Sequence, residues 1–324
     1  MDLQFPKAEL HLHVEGGIEP ATLRELACRH SMPAAGFSDD ELADAYRYDD
    51  FLGFLRAFKW VTDHLQTPED YALAASRLLE KLHSQNVRYA EIYFSAGICL
   101  WKNQEVEPIL EGLEEARRKA EESWGIQAQW IFDAVRQFGA EAAEKVVELA
   151  ARFQDRHVVG IGLGGDEARG APRLFRRAYD AARATGLRLT AHAGETTGPE
   201  SIWGALQELG AERIGHGVSA VRDPDLMEFL RERQIPIEVS VSSNYATGAV
   251  PPGAEHPVRR LFDAGLLVVI NSDDPPMFHT TINAEYERLA EHHGFSEAEL
   301  RALARNSFRA SFLLEEAKAA FLAD

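Results

Sequence analysis

Cysteine is nearly missing: Cys28 and Cys99 are the two in 324 residues. So low a count excludes a disulfide framework and a Cys-rich zinc site. Any metal has to rest on histidine and carboxylate, and a reducing cytosol is the default compartment. Long hydrophobic runs are missing too. No window approaches the roughly 18 apolar residues of a membrane-spanning helix. The opening residues Met1-Asp2-Leu3-Gln4-Phe5-Pro6-Lys7 lack the basic stretch and apolar core of a secretory signal, so a cytoplasmic location is expected. Positive charge is short, with 34 Lys and Arg against 52 Asp and Glu, a formal charge of −18. Phosphate affinity comes from clustered Lys and Arg, so this balance argues against nucleic acid and against an anionic membrane as partners. Repeats, low-complexity tracts and Gly/Ser linkers are absent, which favours one domain across residues 1–324. Nothing in the sequence points to an obligate protein partner.

What is present is a folded composition, 45% hydrophobic and 27% charged. Eight short β-rich runs alternate with longer helical patterns. The runs are Lys7 to Leu12, Arg88 to Phe94, Gln127 to Asp133, Val158 to Leu163, Arg188 to Ala193, Arg213 to His216, Pro236 to Val241 and Leu267 to Asn271. Several are almost continuously apolar, as strands buried on both faces should be. Between them, Asp223-Pro224 reads as an N-cap with a first-turn proline, and Ser296 to Glu299 as a capping box. Eight strands each followed by helix predict an α/β fold of the (β/α)8 TIM-barrel type. The first gap is unusually long. Residues 20–86 read as several helices, Pro20 to His30, Asp39 to Tyr46, Phe51 to His64 and Pro68 to Asn86. They form either a lid over the barrel mouth or a static helical insertion.

Polar residues gather where such a barrel builds its active site, at the C-terminal strand ends. His11 and His13 end the first run, Gly164 to Glu167 the fourth, His192 and Glu195 the fifth, His216 the sixth, and Asp273 and Asp274 the eighth. In a strand, residues two apart face the same side, so His11 and His13 can meet one ion. A lone His-x-His is a weak signal, because core and surface histidines are common. With His192 and Asp273 added, the set is three imidazoles and one carboxylate, which suits one Zn²⁺ with a water in an open position; iron or manganese is the alternative. Water held by Zn²⁺ has a pKa near 7 instead of about 15.7, and His216 and Asp274 are candidates to take or steer its proton. Asp274 precedes Pro275, so an exposed loop acid or helix cap is its bland alternative. Glu195, three residues after His192, could be a buried general acid or a surface salt-bridge glutamate.

Other features lead elsewhere. Gly160-Ile-Gly162-Leu-Gly164-Gly165 satisfies G-x-G-x-x-G, but a loop follows instead of a helix and no acid lies near 183–187, which argues against a dinucleotide site. P-loop and G-x-S-x-G motifs are absent. Phe51, Phe54, Phe58, Trp60 and Trp101 read as core aromatics, with cover over an aromatic substrate arm as the alternative.

Taken in order, Pro6 to His13, Gly164-Gly165-Asp166-Glu167, His192-Ala193-Gly194-Glu195, Arg213 to Gly217, Ser243-Asn244 and Asn271 to Pro275 resemble the adenosine deaminase family of the amidohydrolase superfamily. The resemblance spans nearly the whole chain. It implies a zinc barrel that hydrolyses the 6-amino group of a purine to a 6-oxo purine and ammonia. His11, His13, His192 and Asp273 would bind the zinc. Glu195 would protonate purine N1, His216 and Asp274 would orient and deprotonate water, and the N–H of Gly165 would bond purine N3. The zinc-deaminase design with H-x-E and P-C-x-x-C is excluded by the absence of C-x-x-C.

Three branches of that family compete. Adenosine enzymes usually carry Asp at the position of Glu15, where it meets the ribose 5′-hydroxyl; Glu15 is as in relatives that act on free adenine. The Ser243 to Val250 segment resembles the nucleoside branch. Gly162 to Gly165, Glu195 to Glu200 and Asp273 to Phe278 resemble most the branch that deaminates 6-aminodeoxyfutalosine, a 5′-extended adenosine, in menaquinone synthesis. The expectation is therefore an adenine-nucleoside deaminase, leaning to a 5′-modified nucleoside, with adenine as the alternative. Two further readings are an amide or ester hydrolase and a catalytically silent purine-binding barrel. Under the first, Glu195→Gln would keep activity.

Overall fold

The computed structural model describes residues 3–322. Eight parallel strands, β1 (Lys7–His13), β2 (Val87–Phe94), β3 (Gln127–Val135), β4 (Val158–Gly164), β5 (Arg188–Ala193), β6 (Arg213–His216), β7 (Ile237–Val239) and β8 (Val268–Ile270), pair in chain order. The residues after β8 bring the sheet back to its start. Asp273 N–H donates to His11 O at 3.0 Å, and His13 N–H donates to Asp273 O at 3.2 Å. Asn271 adds its Oδ1, which accepts the N–H groups of Leu10 and His11 at 2.9 and 3.1 Å. The TIM-barrel expectation holds, and β1 begins at the residue the sequence pattern marks.

β7 is shorter than Pro236 to Val241, because Val241 already opens a helix, Val241–Ala246. The apolar run continues through the helix start, and a buried helix turn cannot be told from a strand by hydrophobicity alone. Both expected caps form. Asp223 accepts from the N–H groups of Asp225 and Leu226, and Ser296 and Glu299 close a capping box.

Between β1 and β2 stand α1 (Pro20–Arg29), α2 (Asp39–Asp44), α3 (Phe51–Thr62) and α4 (Pro68–Ser84). Their apolar faces join the barrel's main core through residues such as Leu23, Leu42, Val61 and Leu79. No helix among the described residues is long and apolar enough to cross a membrane. The glycines of the apparent dinucleotide motif have another cause. A Cβ on Gly162 or Gly164 would stand 2.6 Å from the carboxylate of Asp133 on β3, so both strand positions stay bare to let that acid in.

Candidate active site

The C-terminal rim gathers the predicted residues. His11, His13, His192 and Asp273 each bring one donor atom within 4.8 Å of the others, all buried. His11 Nε2 and His13 Nε2 lie 3.6 and 3.4 Å from Asp273 Oδ1. His216 Nε2 stands 3.7 Å from Glu195 Oε2 and 3.9 Å from Asp273 Oδ2. A cavity of about 250 Å³ opens onto this group, and His13, His192, Glu195, His216, Asp273, Asp274 and Gly165 line it. His11 sits beneath, fully buried. Glu15 is off the cavity wall. Its Oε1 accepts the N–H of Ser95 at 2.9 Å, and Ser95 lines the cavity in its place.

Backbone strain marks the rim. His216 and Asp273 adopt φ of 62° and 64°, a left-handed conformation that costs a non-glycine residue about 1–2 kcal/mol. It persists because the surroundings impose it. For Asp273 they are the two backbone bonds to β1 given above. Glu195 is fixed from outside its own loop. The Glu167 carboxylate accepts the N–H groups of Gly194, Glu195, Thr196 and Thr197 at 2.5, 3.2, 2.9 and 3.1 Å.

Electrostatics separate the carboxyls. Burial pushes Glu195 up to about 7, further than the nearby His216 draws it down. Burial and the charge of Asp273 push Asp274 well up. Burial alone would also raise Asp273, but the hydrogen bond from His13 and the imidazoles of His216 and His11 hold it far below the carboxylate range. Asp273 is thus the firm anion and Glu195 the acid that keeps its proton near neutrality, while Asp274 is the most basic carboxylate of the rim, suited to take a proton and give it back. Burial lowers His11 and His192, so both keep a neutral lone pair. For His13 burial is overcome by Asp274 and Asp273, which raise it to about 10.

The donor set fits a divalent metal. His11 Nδ1 is tied to Glu238 Oε2 at 2.8 Å, and Glu238 Oε1 lies 2.6 Å from Arg213 Nε. Arg213 is paired in turn with buried Glu91. This fixes the His11 ring with Nδ1–H on the carboxylate and leaves Nε2 buried with no hydrogen-bond partner, aimed at the cluster. His192 Nδ1 is likewise buried and unpartnered. Glu238 was not legible as a site residue. The available signal was a glutamate between Ile237 and Val239 in a strand otherwise wholly buried. Asp133, buried on the cavity wall with Oδ1 unpartnered, escapes the sequence for the same reason.

The wall opposite the rim comes largely from α3. Phe51, Phe54, Leu55 and Phe58 line the cavity with Trp101 and Phe138. The expectation of core aromatics holds for Trp60, which stacks on Phe37 at 6.3 Å away from the cavity. It holds in part for α3, where Phe54 is buried in the core and Phe51 and Phe58 pack half-buried against it while also lining the cavity, and it fails for Trp101, which is 54% exposed and stacks on Phe138 at the cavity.

A barrel with imidazoles and acids converging at its C-terminal rim is the layout of a hydrolytic enzyme. Comparison with known proteins narrows the class. A family model described as adenosine deaminase matches residues 6–324. An aminodeoxyfutalosine deaminase of Streptomyces avermitilis is 42% identical over 323 residues, 99% of this chain and 90% of that protein. An adenine deaminase of Rhizobium leguminosarum bv. trifolii is 39% identical over 327 residues, 100% of this chain and 99% of its own. The crystal structure of an amidohydrolase from Burkholderia ambifaria with bound Zn superposes with a TM-score of 0.91 at 29% identity, covering 99% of this chain and 89% of that one. The chain belongs to the adenosine deaminase family. It is a hydrolase acting on a C–N bond.

Proposed function

We propose that this protein hydrolyses the 6-amino group of an adenine nucleoside to the 6-oxo purine and ammonia, and that its substrate is extended at the 5′ position. The carrying observation is the conjunction, in one cavity, of a four-donor cluster, a glutamate that favours its proton near neutrality and an apolar wall of Phe51, Phe54, Leu55 and Phe58. We assign one Zn²⁺ to His11, His13, His192 and Asp273, where it supplies the Lewis acidity that makes a water reactive near pH 7.

The remaining work falls to the chain's own groups. Glu195, protonated, donates to purine N1 and makes C6 more electrophilic. Thr247 borders this acid, with its Oγ1 3.4 Å from Glu195 Oε1 while its hydroxyl donates to Ser243 O at 2.9 Å. His216 and Asp274 flank the attacking water and handle its proton. The N–H of Gly165, at a bare left-handed position on the cavity wall, meets purine N3. Glu15 acts from behind Ser95, setting the shape of the sugar end of the cavity. The barrel with its insert at 20–86 is one domain, and the enzyme works in the cytoplasm on a small adenine compound. A place in menaquinone synthesis follows if the extended nucleoside is the substrate.

Free adenine is the second reading, supported by Glu15 in place of aspartate and by the adenine deaminase relative. The test is ammonia release from 6-aminodeoxyfutalosine, adenosine and adenine, compared as kcat/KM on one zinc-loaded preparation. The extended nucleoside should lead by at least tenfold. A lead by adenine overturns the substrate assignment, and turnover of none overturns the deaminase reading.

A further inference from the structure

Behind His216 lies a chain of three polar groups that no step above uses. Asn244 Nδ2 stands 3.0 Å from His216 Nδ1. His256 Nε2 stands 3.1 Å from Asn244 Oδ1. The backbone N–H of Val258 donates to His256 Nδ1 at 3.1 Å. Asn244 and His256 are both at most 1% exposed, so water does not compete for these bonds.

The chain has a direction, and its far end sets it. A backbone N–H can only donate. Val258 opens the helix Val258–Asp263, where a first-turn amide has no partner inside the helix and takes the imidazole instead. His256 Nδ1 therefore accepts, so the ring is neutral and its hydrogen is on Nε2. Burial favours that neutral form strongly, pushing His256 down to about 3 with help from His293. Nε2–H then donates to Asn244 Oδ1, which leaves the Asn244 amide NH₂ facing His216. His216 Nδ1 accepts in its turn, and the His216 hydrogen sits on Nε2, the nitrogen that faces Glu195 and Asp273.

We infer that His256 and Asn244 are positioning residues that hold His216 as the Nε2–H tautomer, so that His216 donates a hydrogen bond to the attacking oxygen and Asp274 receives the proton. The tautomer follows from the hydrogen-bond chain alone; the division of labour rests on the deaminase reading. The proton count then closes. Water gives one proton to Asp274 as its oxygen bonds to C6, while Glu195 gives one to N1. The C6 hydroxyl returns a proton to Glu195, Asp274 gives its proton to the amino group, and the C6–N bond breaks with loss of ammonia. His216 ends as it began.

Why should a histidine 12 residues from Asn244 matter? An asparagine amide can present either its oxygen or its nitrogen. Alone, Asn244 could serve both tautomers of His216. His256 removes the choice by occupying the oxygen.

The experiment is two-bond ¹H–¹⁵N spectroscopy on the zinc-loaded full-length chain labelled in histidine, with the His216 signals assigned by their loss in His216→Gln. The expected result is a hydrogen-free Nδ1 and a hydrogen-bearing Nε2 on His216. His256→Gln keeps an acceptor for Val258 and a donor for Asn244, and should retain this tautomer with kcat within about twofold. His256→Leu should give mixed tautomers and lower kcat about tenfold, at the low end of the roughly 10–100-fold typical when a group supporting a site residue is lost, with KM nearly unchanged. Asn244→Asp offers only acceptors and should move the hydrogen onto Nδ1. A wild-type His216 with its hydrogen on Nδ1, or a His256→Leu spectrum identical to wild type, overturns the inference. Should a variant fail to fold, the wild-type spectrum alone decides. An intact tautomer in a protein that turns over no adenine compound overturns the deaminase reading and leaves the positioning role standing.

Discussion

The rim of the barrel and the wall supplied by α3 bound the same cavity by opposite means. At the rim each reacting group is braced by a partner far away in sequence: His11 by Glu238, His216 by Asn244, the Glu195 loop by four bonds to Glu167. Across the cavity, Phe51, Phe54 and Phe58 meet neighbours edge-on or tilted at 5.0–6.4 Å, with no polar bond to fix them. A group that hydrogen bonds hold in one orientation can do directional chemistry; a ring held by dispersion can only offer area and shape. Substitutions at the rim should therefore act on rate and metal, and substitutions on the wall on which substrate is accepted.

The largest break should come from His11→Ala. It removes a donor of the cluster and strands the Glu238 carboxylate, so metal content and turnover should disappear together, checked by elemental analysis on the same sample as the assay. The activity loss should exceed the roughly 10–100-fold seen when only a supporting partner is removed. Retention of a stoichiometric metal with full turnover would show that the cluster is not the site. Glu195→Gln comes next. It should keep metal and ligand binding while kcat falls about 10²–10⁴-fold, the usual contribution of general acid catalysis. The sign with pH follows from the raised carboxyl. The protonated form is the active one, so wild-type kcat should decline as pH rises through about 7, and that limb should vanish in the variant. A variant that lost its metal would put Glu195 in the wrong role. Gly16→Ala is the third and tests a contact that no motif records. A Cβ there would stand 1.5 Å from Asp274 Oδ1, so the acid must move while the metal donors stay. Displacement by about 1 Å can cost about 10²-fold in kcat, with metal content unchanged.

Legibility divides along the same line. The eight strands could be read because strands buried on both faces leave continuous apolar runs, and β1, β5 and β6 coincide with their runs to within a residue at either end. The site residues could be read because a barrel collects strand ends, so a position in one strand is enough to place His192 or Asp273 on the rim. What could not be read is pairing. Glu238 lies 227 positions from His11, and nothing local says that a strand glutamate faces an imidazole and not a surface lysine. Glu167 was visible as a rim acid, but its four acceptor bonds depend on how the β4 loop lies against the β5 loop. The second role of the α3 aromatics, as cavity wall besides core, stays hidden for the converse reason. A helix stripe facing a cavity has the same period as one facing a core, and only the neighbour's absence distinguishes them.

The smallest expected effect is also the one that separates the two halves. Phe58 stands on the cavity wall 6.4 Å from the His13 ring, edge to face, and makes no hydrogen bond through its side chain. Phe58→Leu removes ring area without adding a polar group or a charge, so the cluster, Glu195 and the His216 chain keep their partners. A substrate that ends at the purine should hardly notice. One whose 5′ extension lies along α3 loses contact area, and a modest loss in an apolar pocket is worth about 1–3 kcal/mol. KM for 6-aminodeoxyfutalosine should then rise about tenfold with kcat retained, while both constants for adenine stay within about twofold. If kcat falls alike for both substrates, α3 helps to order the rim and the division drawn between the two halves is lost. If neither constant moves, the extension runs elsewhere, and Trp101 with Phe138, stacked at 5.6 Å on the same cavity, becomes the wall to vary.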